Sequence, residues 1–198
     1  MPSGWNHNVQ YHDVLLDAVP VPCERAIDLG CGDGNFVRKL AARSQSVTGI
    51  DVSPEMIRRA QSLTTDLDNV TLIEGDILQT PLPDGGFDFV SAIAVLHHLP
   101  FAEAISRLAA LLRPGGVLAT LGLALDRSPL DFTVSAAAVP ISRFIRLRRG
   151  WWETGAPLAN PFMSYAEVRR TAQAILPEAA VRRRLLFRYS LVWTKPGG

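Results

Sequence analysis

Carboxylates and glycines in the first part of the chain are spaced as a site for a positively charged ligand would need. The segment Ala26-Ile27-Asp28-Leu29-Gly30-Cys31-Gly32-Asp33-Gly34-Asn35 passes from an apolar run into a glycine-rich turn and then a helical stretch. Such a turn brings a ligand against bare backbone and against the free N–H groups of a helix N-terminus. The dinucleotide fingerprint G-x-G-x-x-G would set its third glycine at position 35, where Asn35 stands. Asp28 in the apolar run and Asp33 in the turn would repel a pyrophosphate. A ligand with an ammonium and a sulfonium would be attracted by both.

A second apolar run ends in Gly49-Ile50-Asp51-Val52-Ser53-Pro54. A carboxylate at a strand end can accept hydrogen bonds from both hydroxyls of a ribose, a need common to NAD and S-adenosylmethionine. Met56, one helical turn on, offers a soft side chain for an adenine face, or is simply part of the core. The third run ends in Glu74-Gly75-Asp76-Ile77, with another carboxylate able to accept from an exocyclic amine.

Two imidazoles follow the fourth apolar run, in Leu96-His97-His98-Leu99. An imidazole titrating near ~6.5 suits a general base, and His97, then His98, are the candidates. The plainer reading is that the pair hydrogen-bonds backbone in a strand-to-helix turn.

The elements that must position these groups alternate short apolar runs with amphipathic stretches, the pattern of a parallel sheet with crossover helices. Strands are expected at 25–29, 46–50, 70–73, 87–93 and 117–123, and helices at 35–42, 54–63 and 101–112, the last stopped by Pro114-Gly115-Gly116. Ser53 and Pro54 open the second of these helices. A short helix is expected at 11–19, a helix capped by Ser164 and Glu167, and strands near 181–187 and 189–195. Between them, 124–163 breaks the alternation with several prolines and aromatics and reads as a long functional insertion.

The 198 residues, 47% apolar and 20% charged, fit one globular domain. Its parts are an N-terminal lid and helix (1–22), a ligand-binding core (23–123), a substrate-side insertion (124–163) and a helix with a terminal hairpin (164–198). No apolar run approaches the ~20 residues that cross a bilayer, and the N-terminus has no signal-peptide pattern. Cys23 and Cys31 have neither disulfide-framework nor metal-ligand spacing, so a reduced cytoplasmic setting is expected.

Taken in order, the blocks Ile27-Asp28-Leu29-Gly30-Cys31-Gly32-Asp33-Gly34, Gly49-Ile50-Asp51-Val52-Ser53, Glu74-Gly75-Asp76-Ile77, Phe87-Asp88-Phe89-Val90, Leu96-His97-His98-Leu99 and Leu112-Arg113-Pro114-Gly115-Gly116 resemble the class I, Rossmann-like S-adenosylmethionine-dependent methyltransferases, small-molecule type. The resemblance implies an α/β fold: a seven-stranded, mostly parallel sheet in order 3-2-1-4-5-7-6, last strand antiparallel, with helices on both faces. It implies Gly30 and Gly32 along the methionine moiety with Asp28 near its ammonium, Cys31 as a further cofactor contact, and Asp51 on the ribose. Asp76 would meet the adenine amine, with Val52, Met56 and Ile77 flanking the base and Ile93 a further cofactor contact. The cofactor implied is S-adenosylmethionine, leaving as S-adenosylhomocysteine, without a metal. A protein that binds this cofactor without transferring methyl, and a nicotinamide-dependent oxidoreductase, are the alternatives.

Charge is divided unevenly. Residues 1–126 carry 8 basic and 15 acidic side chains, and residues 127–198 carry 12 and 4, balances of −7 and +8. An acidic half suits a cationic cofactor, and a basic half suits an anionic or lipidic small-molecule substrate, unless its arginines only solvate helix faces. No nucleic-acid partner is expected, since the Asn/Asp-Pro-Pro-aromatic motif of base methylation is replaced by Ser91-Ala92-Ile93-Ala94-Val95-Leu96. A homodimer is compatible with the sequence. Substrate contacts are expected from Trp5, His7 and Tyr11 in the lid, from His97, and from Arg143 and Trp151 in the cluster Arg143, Arg146, Arg148, Arg149, Trp151 and Trp152.

Overall fold

Alternation of side chains along each strand sorts this chain into two cores. In β1 (Arg25–Leu29), Ile27 and Leu29 point to one face, and Ala26 and Asp28 to the other. The same period splits Val90 and Ala92 from Phe89 and Ser91 in β4 (Phe87–Ile93). The computed structural model describes residues 5–151 and 160–197. One face buries α1 (His12–Leu16), α2 (Asn35–Ala41) and α3 (Pro54–Leu63) through Leu15, Val37, Leu40 and Ile57. The other buries α4 (Phe101–Leu111) through Ile105 and Leu108, and a later helix through Val168 and Ala172.

The sheet is completed by β2 (Ser46–Asp51), β3 (Val70–Glu74), β5 (Leu112–Gly122), β6 (Ala180–Arg184) and β7 (Arg188–Thr194). Its order is β3-β2-β1-β4-β5-β7-β6, as the resemblance implied. Pairs from β3 to β5 are parallel, and β7 runs antiparallel to both β5 and β6. The carboxyl ends of β1, β2 and β4 therefore share one edge, where ligands of open α/β sheets bind.

Two expectations need correction. The helix at 101–112 is not followed by a turn of Pro114-Gly115-Gly116: β5 begins at Leu112 and includes them. Register passes from Phe87↔Leu112 to Phe89↔Val117, so 113–116 is looped out of the β4 pairing, and Gly115 N–H donates instead to the Lys195 carbonyl. The stretch 124–163 is also more regular than its prolines suggested. It holds α5 (Pro129–Arg149), with Pro140 inside, ahead of α6 (Tyr165–Ile175). Ser128 accepts from Asp131 N–H, Asp131 accepts from Ser128 N–H, and Pro129 occupies the first turn, a complete capping box. Trp152 and Pro157 lie outside the described residues.

Candidate functional site

The turn after β1 folds as its glycines require. Gly30 has φ +71, and a Cβ there would stand 2.7 Å from Val95 Cγ2. Gly34 has φ +80, caps α2, and a Cβ would stand 2.8 Å from that of Ala60. The glycine that sits one place early for a dinucleotide fingerprint is thus demanded by the packing of α2 on α3.

Asp51 locks this turn to the end of β2. Its Oδ2 accepts from Gly32 N–H and its Oδ1 from Ser53 N–H, both at 2.9 Å. Each oxygen keeps a second acceptor site, so two ribose hydroxyls could still be bound. Ser53 also caps α3 through Met56 N–H. Asp76 is held in the same manner, its Oδ1 accepting from Leu78 N–H at 2.7 Å.

These groups line a cavity of about 280 Å³, close to the ~300 Å³ at which small-molecule sites begin. Asp28, Gly30, Cys31, Gly32, Asp51, Val52, Asp76, Ile77 and Ile93 all lie on its wall, joined by Asp33. Met56 does not: it is 2% exposed and belongs to the interior. Asp28 is 1% exposed and accepts from Ser91 Oγ at 2.7 Å. Burial, reinforced by the Asp51 charge, pushes its carboxyl up to about 7 against the opposing Ser91 bond. The buried Cys31 thiol is pushed up by burial and by the surrounding aspartates. Ala94, on the wall beside Ile93, holds φ 53, an uncommon conformation for a residue with a Cβ.

The histidines divide. His98 is on the cavity wall, while His97 faces a separate space of about 10 Å³ with Phe101, Met163 and Tyr189. His97 Nδ1 is buried without a hydrogen-bond partner among the described residues. Burial, then the neighbouring His98 and Arg188, lower it to about 4.

The N-terminal segment borders the cavity with different side chains from those expected. Asn6 Oδ1 accepts from Asn8 N–H and Val9 N–H, turning the chain into the 3₁₀ helix Val9–Tyr11. The turn sends Asn6, Asn8, Val9 and His12 to the cavity. Trp5, His7 and Tyr11 point away from it. Trp5 packs on Ala138 of α5 and on Leu186, His7 Nε2 meets Ser142 Oγ at 2.8 Å, and Tyr11 OH donates to Leu185 O. Arg143 is exposed on α5, and Trp151 stacks edgewise on Trp5 and His7, so neither reaches the wall. His12 is informative in another way. Its Nδ1 lies 3.1 Å from Lys39 Nζ, an ammonium that can only donate, so the ring proton belongs on Nε2. Burial and the Lys39 charge lower His12 to about 3 and keep the ring neutral.

The methyltransferase domain family matches residues 27–120, which include most of the cavity wall. An uncharacterized methyltransferase of Mycobacterium tuberculosis is 36% identical over 99% of this chain and 100% of its own length. The chain belongs to the methyltransferase family. As a class I, S-adenosylmethionine-dependent methyltransferase it has the sheet order and glycine turn expected of that class. The 27-O-demethylrifamycin SV methyltransferase of Amycolatopsis mediterranei is 37% identical over 64% of this chain and 49% of its own. Among solved structures, an N-methyltransferase from Bradyrhizobium japonicum in complex with S-adenosylhomocysteine superposes with TM-score 0.64. It is 21% identical, over 95% of this methyltransferase and 87% of that chain. No helix of the described residues is long and apolar enough to cross a membrane.

Proposed function

We propose that this methyltransferase binds S-adenosylmethionine in the 280 Å³ cavity and methylates a small molecule admitted beside Ile93, Ala94 and His98. The observation that carries the reading is Asp51, oriented by two backbone N–H groups and retaining acceptor capacity toward the ribose. Gly30, Cys31 and Gly32 would border the methionine moiety, and Asp28 would face its ammonium. Asp76 would accept from the adenine amine between Val52 and Ile77. The cofactor supplies, when bound, a methyl group on a sulfonium. The chain's own contribution is alignment of the acceptor in a site from which Asn6, Asn8 and Val9 exclude water, a positioning effect of order ~7–11 kcal/mol. Where the acceptor atom carries a proton, His98 is the base in reach of it, ahead of His97. Relatives in Mycobacterium and Amycolatopsis support a bacterial origin, and the setting proposed is the cytoplasm.

The test is incubation of the chain with methyl-labelled S-adenosylmethionine and a bacterial metabolite extract. Label should appear in a small-molecule product and vanish with Asp51→Ala. Tight cofactor binding with no labelled product from any extract would leave a binding module in place of a methyltransferase.

A further inference from the structure

We propose that Arg188 anchors a carboxylate on the methyl acceptor, at the place where its guanidinium now meets Asn8. The proposal rests on the methyl-transfer reading above and specifies the acceptor's chemistry. Because β7 runs antiparallel to β5, its first residues lie at the carboxyl edge of the sheet: Tyr189 pairs with Gly122, the last residue of β5. Arg188, one residue earlier, is therefore on the edge that carries the cavity.

Among the described residues the guanidinium lacks a counter-charge. Arg38, Arg107, Arg113, Arg127 and Arg183 each pair with a carboxylate, whereas among the described residues Arg188 makes no ion pair. Its Nε donates to Asn8 Oδ1 at 2.8 Å and its Nη1 to the Phe187 carbonyl at 3.4 Å, which leaves Nη2 without an acceptor among the described residues. Burial lowers Arg188 to about 10, and it stays charged at neutral pH. A cation withdrawn from water without a partner is costly, and a planar carboxylate matches the fork of donors that remains.

Geometry sets the side of approach. On one flank lies a crevice of about 20 Å³, bordered by Asp126, Ser135, Arg183 and Arg184. That is room for about one water. Asp126 makes no ion pair there among the described residues, and Arg183 and Arg184 already engage Asp131 and Ser190. On the other flank is Asn8, which accepts from the guanidinium and also lines the cofactor cavity, so one residue links the guanidinium to the cavity. The Asn8 amide oxygen is a neutral acceptor where a carboxylate would bind more strongly. His7, lowered to about 4 by burial and by Arg188 itself, adds no second charge at neutral pH. The methylated atom is then a different atom of the same molecule, reaching past Asn8 into the cavity.

Calorimetric titration of the full chain saturated with S-adenosylhomocysteine tests this, with sodium benzoate, sodium hexanoate and inorganic phosphate as probes. At least one carboxylate should bind, about tenfold or more weaker in Arg188→Met and partly restored in Arg188→Lys. Asn8→Asp should place an internal carboxylate on the guanidinium and abolish the binding, a readout that survives if Arg188→Met fails to fold. No carboxylate binding to the parent chain, equal binding to Arg188→Met, or preference for phosphate would each overturn the proposal. Failure of S-adenosylhomocysteine to bind would instead overturn the methyl-transfer reading beneath it.

Discussion

Ser91 Oγ stands 2.7 Å from Asp28 Oδ1, and both side chains are buried on adjacent parallel strands at the edge of the cavity. Among the described residues the hydroxyl is the one side-chain donor that offsets the burial of this carboxylate, whose pKa is nevertheless pushed up to about 7. Cofactor affinity should therefore depend on pH. An ammonium favours ionised Asp28, so S-adenosylhomocysteine should bind more weakly as pH falls below about 7. Ser91→Ala removes the donor and should move that midpoint upward. Titrations at pH 6 to 8.5 check both, and identical midpoints in the two proteins would refute the link.

The same group sets a stability profile. Its folded pKa is raised from 3.8 to about 7, so between those values the native state binds the extra proton and stability falls as pH rises. Above about 7 the full penalty of a buried charge is present. Asp28→Asn removes it while keeping an oxygen for Ser91. The ligand-free variant should melt higher than the parent at pH 8, with the gain shrinking toward pH 5, while its cofactor affinity drops. Melting curves at the two pH values decide the matter.

Gly30 and Gly32 should fail differently when a methyl is added. Both have positive φ, which costs a side chain about 1–2 kcal/mol. Gly30→Ala also drives a Cβ into Val95, whereas a Cβ at Gly32 meets nothing within 4 Å of protein. Gly30→Ala should thus lower the melting temperature the more. Gly32→Ala should chiefly weaken S-adenosylhomocysteine, since its methyl enters the cavity. Equal losses of stability would contradict the geometry.

Asp51→Asn exchanges one carboxylate oxygen for an NH₂ that must face Gly32 N–H or Ser53 N–H. A charge-assisted bond is lost and two donors are opposed. Affinity for S-adenosylhomocysteine should fall about 10–100-fold, the equivalent of ~1.5–3 kcal/mol.

His98→Ala and His97→Ala should separate once an acceptor is in hand. His98 borders the cavity, and His97 sits against Met163 and Tyr189. Loss of His98 should lower kcat by about 10²-fold or more if a proton leaves the acceptor, whereas His97→Ala should act mainly through stability. The reverse ranking would return the role to His97.

The positions of the first five strands, the glycine turn and the acidic strand ends were all legible in the sequence, while the sheet order came only from the family resemblance. Each is a local pattern: period-two apolar runs, a turn needing positive φ, a cap at Ser53. Asp28, Asp51 and Asp76 could be picked out because a carboxylate at a strand end is anomalous within one segment. The Ser128-Pro129-Leu130-Asp131 start of α5 was equally local, but the prolines around it hid it. What the sequence could not reveal is which way neighbouring side chains face where no regular period holds. Only the turn made by Asn6 sends Asn8 and His12 to the cavity and Trp5, His7 and Tyr11 to α5 and the hairpin. Which of His97 and His98 borders the cavity was decided by one 3₁₀ turn at Leu96–His98. Arg188 lies 180 residues from Asn8, and nothing near it in the chain marks it as unpaired. That half-buried Arg188 has no counter-charge among the described residues depends on which distant segments pack around it, so the fold alone could disclose it.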